Sequence, residues 1–335
     1  MDIRKPKTIG QAAGQRLEGS PQKQQVMLLY CGIVLVQCAV VTALNYLVDH
    51  LLGQAGGLGN MGQRTLLSTF AMVLPILHTL ALLVLDVGLL NAMLRVARGQ
   101  YISVHSLRMG LSRFWGVISC TFFRGLVCLA AGFAALNVAM VVFLASPLSS
   151  GMMNMLEPML TETTDTTVLV NELLSNEALT LEYIRTTLPL YLIFAAVFLV
   201  LLVPLLYRLR FSEYILIDNP RFGGFRACLE SLRMTRRRWF PLLKLDLFFW
   251  WYYVLSLLVG LLSYMDLLPG LLGFARVSVS ETMTLVFYGL YLIAQALVYY
   301  FFRPRLEVSF ALLYDAYRPK EEPGQGMVLG NIFQM

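Results

Sequence analysis

The sequence predicts an all-α fold: a polytopic membrane protein with about six transmembrane helices and cytoplasmic interfacial amphipathic helices. Of the 335 residues, 58% are hydrophobic and only 14% are charged, which is too little charge for the surface of an ordinary soluble domain. Several apolar runs are also long enough to cross a bilayer as helices. The sequence does not show the short alternating segments that are typical of a membrane β-barrel.

Six apolar runs define the predicted spans and the domain organisation. A polar N-terminal tail, residues 1–23, precedes a transmembrane domain at residues 24–318, and residues 319–335 form a C-terminal tail. The first run is too long for a signal-peptide core and has no convincing cleavage site, so we expect an uncleaved first span. The predicted spans cover about residues 26–48, 66–94, 114–144, 188–207, 240–265 and 283–302.

The distribution of charge predicts the orientation of these spans. If the N terminus is cytoplasmic, the four cytoplasmic segments contain 21 of the 26 lysines and arginines. The segment 147–182 carries six carboxylates and no lysine or arginine, as expected of an outside loop. Because positive residues favour the cytoplasmic side, we expect a multi-pass membrane protein with both termini in the cytoplasm. The net charge of +6 therefore does not indicate nucleic-acid binding.

A cationic stretch at residues 205–253 is the most distinctive part of the chain. It is predicted to leave the membrane, to form an amphipathic helix along the cytoplasmic face, and to return into lipid near Trp239. The helix is expected to begin at Pro220, with Asp218 and Asn219 as candidate caps. Its apolar stripe would lie in the lipid interface while its cations reach anionic lipid headgroups. The candidate lipid-binding residues are Arg226, Arg233, Arg236, Arg237, Arg238 and Lys244.

An internal repeat includes part of this stretch. SLRMGLSRFW at 106–115 and SLRMTRRRWF at 231–240 share Ser, Leu, Arg, Met and a later Arg in the same register. Each copy is predicted to lie between a span that enters the cytoplasm and a span that leaves it. A true duplication would give parallel repeats, which are known in transporter folds. Convergence of two segments with similar tasks at one membrane face is the alternative.

Several short motifs resemble those of one known family. The motifs are Arg98-Gly99 after the glycine-containing second span, Asp218-Asn219-Pro220, Ser231, Met234, Trp239, Leu245-Asp246-Leu247 with Phe249, Ser309-Phe310 and Leu313-Tyr314-Asp315. Over about residues 26–317 the chain resembles the bacterial integral membrane proteins grouped as the domain-of-unknown-function 975 family. This resemblance implies a multispanning protein of unassigned biochemical activity, and it supplies no catalytic residues.

Charged residues inside spans are costly and are therefore candidates for function. Asp86 and Arg124 are predicted at similar depth on consecutive antiparallel spans, and we expect them to form an intramembrane polar pair. A structural ion pair between two helices is favoured over a polar element of a transport route. His78 lies about two turns from Asp86, so a proton relay is a further alternative. Asp246 is expected to accept hydrogen bonds from arginines of the basic helix.

No catalytic, metal-binding or cofactor-binding motif is found, so we expect no enzymatic activity and no cofactor. The five cysteines contain no CxxC pair and are interpreted as small buried hydrophobes. The favoured function is a non-enzymatic membrane scaffold, or a protein that binds a partner or lipids. The expected partners are the lipid bilayer and anionic headgroups, together with a membrane-protein partner or a second copy of the chain. The alternative is a permease or the membrane subunit of a transporter; a lipid-modifying enzyme is a third hypothesis without a nucleophile to support it.

Overall fold

The computed structural model describes residues 5–54, 61–147, 149–150, 177–236, 238–262 and 281–318. Within these ranges the chain is helical and contains no strand, which confirms the all-α prediction. Five helices are long and apolar enough to cross a membrane, and a sixth crossing results if one bent helix pair counts as a single span. Most of the predicted outside loop, the whole predicted C-terminal tail (319–335) and Arg237 lie outside the described residues.

The described helices differ in length from 4 to 37 residues. They are α1 (Pro6–Glu18), α2 (Lys23–Gln54), α3 (Met61–Ala97), α4 (Met109–Ser112), α5 (Phe114–Leu144), α6 (Glu177–Leu209), α7 (Ser212–Asp218), α8 (Gly224–Met234), α9 (Phe240–Phe248), α10 (Trp250–Leu261) and α11 (Glu281–Tyr317). A short 3₁₀ helix at Val104–Arg108 precedes α4.

The chain divides into two compact units. Residues 1–120 and 211–335 form the larger unit, and residues 121–210 form the smaller one. In the larger unit α2, α3 and α11 pack against one another, and α1 packs on α11. In the smaller unit an apolar groove is lined by residues of α5 and α6, among them Gly132 and Phe198.

The N-terminal tail contains a packed helix that the sequence analysis did not predict. Ile9, Ala13 and Leu17 of α1 recur every four residues and are buried. This spacing places them on one helix face, which packs on α11. The guanidinium Nε of Arg305 on α11 also donates a hydrogen bond to the carbonyl of Gly10 (3.2 Å). The stripe has only one apolar residue per turn, so the tail is polar on average and its sequence shows no clear sign of a helix.

The interfacial helix begins later than predicted. The expected start was Pro220, but α7 ends at Asp218 and α8 begins only at Gly224. The Asp218 carboxylate binds two arginines instead of capping a helix. A close approach fixes the new start: the backbone N–H of Gly224 donates to Ser119 Oγ (3.1 Å), and a Cβ at Gly224 would overlap the backbone of α5.

The predicted fifth span is broken, and the sixth helix is longer than predicted. The helices α9 and α10 meet at a 59° bend. At the bend, Phe249 is buried and its backbone leaves the helical region (φ −97°, ψ 19°). The last helix was expected to end near residue 302 but continues to Tyr317. Its additional turns are buried inside the protein, with Phe310 and Tyr314 fully covered.

Two glycines bring the 104–112 segment onto α3. A Cβ at Gly88 of α3 would overlap the carbonyl of Leu107, and a Cβ at Gly110 would overlap the carbonyl of Val84. Backbone therefore packs directly on backbone at this point, which only glycine allows. The second copy of the sequence repeat has a different local structure, since Ser231 lies in the last turns of α8 whereas Ser106 lies in the 3₁₀ helix. Duplication thus stays a prediction.

Candidate functional site

A polar cavity lies between α2, α3 and α11 in the larger unit. Its volume is about 230 Å³. Apolar residues such as Val34 and Leu82 form part of the wall, so the polar groups are concentrated in a few positions. The polar and aromatic lining consists of Tyr30, Cys38, His78, Asp86, Tyr288, Tyr291, Gln295, Tyr299 and Arg303. We refer to this space as the Asp86 cavity.

An ion pair between α3 and α11 closes one side of the Asp86 cavity. Arg303 Nη2 lies 3.0 Å from Asp86 Oδ2, and the Tyr30 hydroxyl donates a hydrogen bond to Asp86 Oδ1 (2.6 Å). Arg303 also donates a hydrogen bond to the Tyr30 hydroxyl. The side chain of Arg303 is 14% exposed, whereas that of Asp86 is 34% exposed. The carboxylate therefore remains accessible from the cavity while its cation is largely enclosed.

Arg303 also connects the cavity to a second carboxylate deeper in the protein. Its Nε lies 3.9 Å from Glu307 Oε1, one turn further along α11. The buried Tyr214 of α7 donates to Glu307 Oε2 (3.2 Å). The guanidinium also lies over the Tyr299 ring, 5.0 Å from its centroid. One arginine thus compensates two carboxylates, which limits the cost of placing charges among apolar helices.

Two side-chain amides lie at or beside the cavity. The amide nitrogen of Gln37 lies 3.2 Å from His78 Nδ1 and donates to the His78 carbonyl (3.0 Å), so it holds the imidazole beside the cavity. On α11, Gln295 Nε2 donates to Ser256 Oγ (2.8 Å). The Oε1 of Gln295 is buried and has no hydrogen-bond partner among the described residues. An unsatisfied buried acceptor costs about 1–3 kcal/mol.

A second polar cluster joins α3, α7 and α11 outside the cavity. Arg98 binds Asp218 through both terminal nitrogens (2.7 and 2.8 Å) and Asp315 through Nη2 and Nε (2.7 and 3.1 Å). Arg318 and the Tyr314 hydroxyl also contact Asp218 (3.2 and 3.0 Å). The pKa of the Arg98 guanidinium lies above its usual value, mainly because of its hydrogen bonds to Asp218. Burial opposes this increase in pKa, and Asp315 adds to it. The cluster fixes three helix ends together.

Within the larger unit, the cation at Asp86 is Arg303, which the sequence analysis did not name as a partner. Arg124, the partner that the sequence analysis expected, lies in the smaller unit, where its Nη2 donates to the carbonyl of Leu209 (2.9 Å). The pairing of Asp86 with Arg124 stays a prediction. His78 does line the same cavity as Asp86, as its helical spacing indicated.

The candidate lipid-binding residues lie in the larger unit, and those that the structure describes are exposed. These are Arg226, Arg233, Arg236, Arg238 and Lys244. The buried face of α8 carries small residues, including Ala227 and Ser231, whereas the apolar Phe225 and Leu229 are 55% and 46% exposed. Lipid binding by this surface stays a prediction. Asp246 accepts a hydrogen bond from Tyr253 (2.5 Å), where arginines of the basic helix had been expected as donors.

Sequence reasoning missed Tyr30, Arg303, Glu307 and Gln295 as site residues. Arg303 was counted among the cytoplasmic charges after the last span, because the apolar run ends at residue 302. One signal was available in the sequence. Arg303 and Glu307 have i,i+4 spacing and are followed by a periodic apolar stretch, which is typical of a helix that continues into a packed protein interior.

Comparisons with protein-family models, with curated proteins and with solved structures give no match for this chain. The resemblance to the domain-of-unknown-function 975 family therefore stays a prediction, and the function must be argued from the cavity and its surroundings.

Proposed function

We propose that the chain is a multi-pass protein of the bacterial cytoplasmic membrane, with both termini in the cytoplasm, that binds a small polar solute as a permease or as the membrane subunit of a transporter. The observation that carries this proposal is the Asp86 cavity. A membrane scaffold needs packed helices but no polar hollow between them. A solute carrier requires such a lined space, because a polar solute cannot cross hydrocarbon alone.

The distribution of charge within the cavity supports solute binding over a purely structural ion pair. A helix lock functions best when both partners are enclosed. Here the side chain of Asp86 is 34% exposed, while Arg303 holds it in place from the protein side. The carboxylate can therefore accept further hydrogen bonds from a ligand without losing its cation.

The lining indicates the chemical class of the solute. A volume of about 230 Å³ equals the space of roughly eight water molecules, so the solute is small. Asp86 accepts hydrogen bonds, which requires N–H or O–H donors on the solute. The tyrosine rings provide flat apolar walls. A neutral or zwitterionic solute with several hydrogen-bond donors fits this combination best.

The scaffold hypothesis keeps one supporting observation. On α8 the exposed Phe225 and Leu229 stand beside exposed arginines, which favours contact with an anionic membrane surface. This contact is compatible with transport, since peripheral helices also anchor membrane carriers. It becomes the main function only if the Asp86 cavity is dry.

The accessibility of Cys38 tests the proposal, because this native residue lines the cavity. In a protein that keeps Cys38 as its only cysteine, a small water-soluble methanethiosulfonate should react at a measurable rate. A variant that keeps only the fully enclosed Cys120, which is 1% exposed, provides the matched control and should react far more slowly. Equal, slow rates for both thiols would indicate a dry interior and would favour the scaffold.

Solute depletion from the medium tests transport itself. Cells that produce the chain are compared with cells that produce Asp86→Asn at the same membrane level, in a defined mixture of small polar metabolites. We expect at least one solute to be taken up by the first strain only. If the cavity is hydrated but the two strains take up the same solutes, solute binding stays the proposal and transport is excluded.

A further inference from the structure

A second pocket, separate from the Asp86 cavity, lies at the C-terminal end of α3, which is predicted to face the cytoplasm. Its volume is about 170 Å³. Residues from the last turns of α3, the 3₁₀ helix and α4 line it, including Arg95, His105 and Arg108. We propose that this pocket, which we call the Arg95–Arg108 pocket, binds the phosphate group of an anionic lipid.

The charge of the lining favours an anion. Arg95 comes from α3, His105 and Arg108 come from the 3₁₀ helix, and no carboxylate of the described residues lines the pocket. All three side chains are exposed, and neither arginine forms an ion pair within the described part of the chain. The half-buried Arg98 and Arg303, in contrast, already have carboxylate partners. These two guanidinium groups thus remain available for an external anion.

The backbone beneath the pocket is rigidly held. The buried Asn91 side chain of α3 donates to the carbonyl of Ser106 (2.9 Å), and the glycine contacts at Gly88 and Gly110 fix the 104–112 segment directly on α3. Binding therefore requires ordering of two arginine side chains but no rearrangement of the chain. Guanidinium groups suit phosphate because their planar donors form paired, charge-assisted hydrogen bonds. Ser103 and Ser112 add hydroxyl groups to the lining.

Apolar side chains beside the pocket identify a lipid as the source of the phosphate. Leu111 lies in the chain between the lining residues Met109 and Ser112, and Trp115 lies three residues after Ser112. Their side chains are 66% and 79% exposed. A free phosphate ion would gain nothing from such neighbours. A phospholipid would place its headgroup phosphate between Arg95 and Arg108 and its acyl chains along Leu111 and Trp115. Tryptophan is enriched at the membrane–water interface because its ring is apolar and its N–H is polar.

Short-chain lipids provide the test, on the full chain in uncharged detergent. Dihexanoyl phosphatidic acid, dihexanoyl phosphatidylcholine and inorganic phosphate are titrated separately, and the melting temperature and tryptophan fluorescence are measured. Phosphatidic acid should give a saturable increase in melting temperature. The double variant Arg95→Gln/Arg108→Gln should weaken its apparent affinity about tenfold or more, because charge-assisted hydrogen bonds are lost. Its melting temperature without lipid should equal that of the native chain, which separates lost binding from lost folding.

A matched control removes the same charge elsewhere. Lys7→Gln/Arg16→Gln changes two exposed cations of α1, which belong to no proposed lipid site, and should alter the affinity for phosphatidic acid less than twofold. Equal weakening by both double variants would mean diffuse electrostatic attraction and would overturn the site. Equal binding of phosphatidylcholine would also overturn it. If inorganic phosphate binds as tightly as phosphatidic acid, the lipid assignment is wrong.

Discussion

At the scale of single residues, the fold is organised by a few arginines that each serve more than one carboxylate. Arg303 compensates Asp86 and Glu307, and Arg98 binds Asp218 and Asp315. A guanidinium group can do this because its five donors point in fixed directions within one plane. An unpaired charge among apolar helices is expensive, and each carboxylate of these clusters contacts a cation from another helix or from the preceding turn.

The Asp86–Arg303 contact can be tested by a double-mutant cycle. Asp86→Leu removes the closest carboxylate of Arg303, and Arg303→Leu removes the cation beside both Asp86 and Glu307. Breaking such a pair costs up to about 3–5 kcal/mol. We therefore expect Arg303→Leu to lower the melting temperature in detergent more than Asp86→Leu. The double variant should recover part of the loss, although not all of it, because the contact between Glu307 and Arg303 stays lost.

The control for this cycle is Arg305, which lies two residues further along α11 and binds the Gly10 carbonyl. The losses caused by Asp86→Leu and Arg305→Leu should add within about 0.5 kcal/mol, as for independent sites. Additive losses for Asp86 and Arg303 would show that the ion pair does not contribute to stability.

Substitution of Arg98 should lower the free energy of unfolding more than substitution of most other residues near the surface. Arg98→Gln removes hydrogen bonds to two carboxylates and should cost roughly 2–3 kcal/mol of unfolding free energy. Arg98→Lys should restore only part of this, because an ammonium group cannot form the paired contacts to Asp218. Arg108→Gln, which changes an exposed arginine without a carboxylate partner, should cost less than about 0.5 kcal/mol. Chemical denaturation monitored by tryptophan fluorescence measures all three; similar effects of Arg98→Gln and Arg108→Gln would contradict the role of the cluster.

At the scale of elements, close backbone contacts and buried helix faces decide where segments lie. The 104–112 segment packs on α3 through Gly88 and Gly110, and α8 packs on α5 through Gly224. These contacts place short connecting segments against long helices without large apolar side chains. Hydrophobic periodicity alone therefore gives little information about them.

Adding one methyl group at these glycines should be disruptive. Gly88→Ala and Gly110→Ala each force backbone atoms apart and should cost about 1–3 kcal/mol or more. Gly289→Ala in α11 is the matched control, since a Cβ there meets nothing within 4 Å and alanine favours a helix. The melting temperature of each variant measures the effect. A neutral Gly110→Ala would mean that the segment does not pack on α3 as described.

Docking of α1 can be tested with a buried charge. Ala13 is fully buried on the face that packs against α11, so Ala13→Glu should release the helix. Released α1 should be cleaved faster by trypsin at Arg16. Gln15→Glu introduces the same side chain at an exposed position and should leave the cleavage rate unchanged. Equal rates for both variants would indicate that α1 is not docked.

At the scale of the whole molecule, the charge distribution predicts the orientation in the membrane. In a cysteine-free background, an impermeant thiol reagent on intact cells should label a cysteine placed at Thr163 in the predicted outside loop. It should not label one placed at Gln100, which is exposed in the connection that is predicted to be cytoplasmic. Thr235 of the basic stretch is unsuitable as the inside position, because it is fully buried and would be protected on either side. After cell lysis Gln100→Cys should become reactive; the reverse pattern would invert the topology.

The sequence predicted the long helices better than it predicted the site. The apolar runs predicted the long helices because a run of about 20 apolar residues has few alternatives to a helix. The predictions failed where tertiary contacts override a local signal: at Pro220, where Asp218 is taken by arginines, and at the end of α11, where charged residues are buried. The partner of Asp86 could not be predicted, since depth along a helix does not specify which neighbouring helix faces it.

The sequence by itself determined the helical class, the long apolar helices and the position of Asp86 and His78 on one helix. These properties depend on composition and on local periodicity, and both can be determined from a single segment of sequence without knowing what it packs against. Only the tertiary structure decided that Arg303 lies beside Asp86, that a cavity remains between α2, α3 and α11, and that Arg95 and Arg108 meet at one pocket. These properties depend on distances between residues far apart in the chain, and such distances are set by how the helices pack.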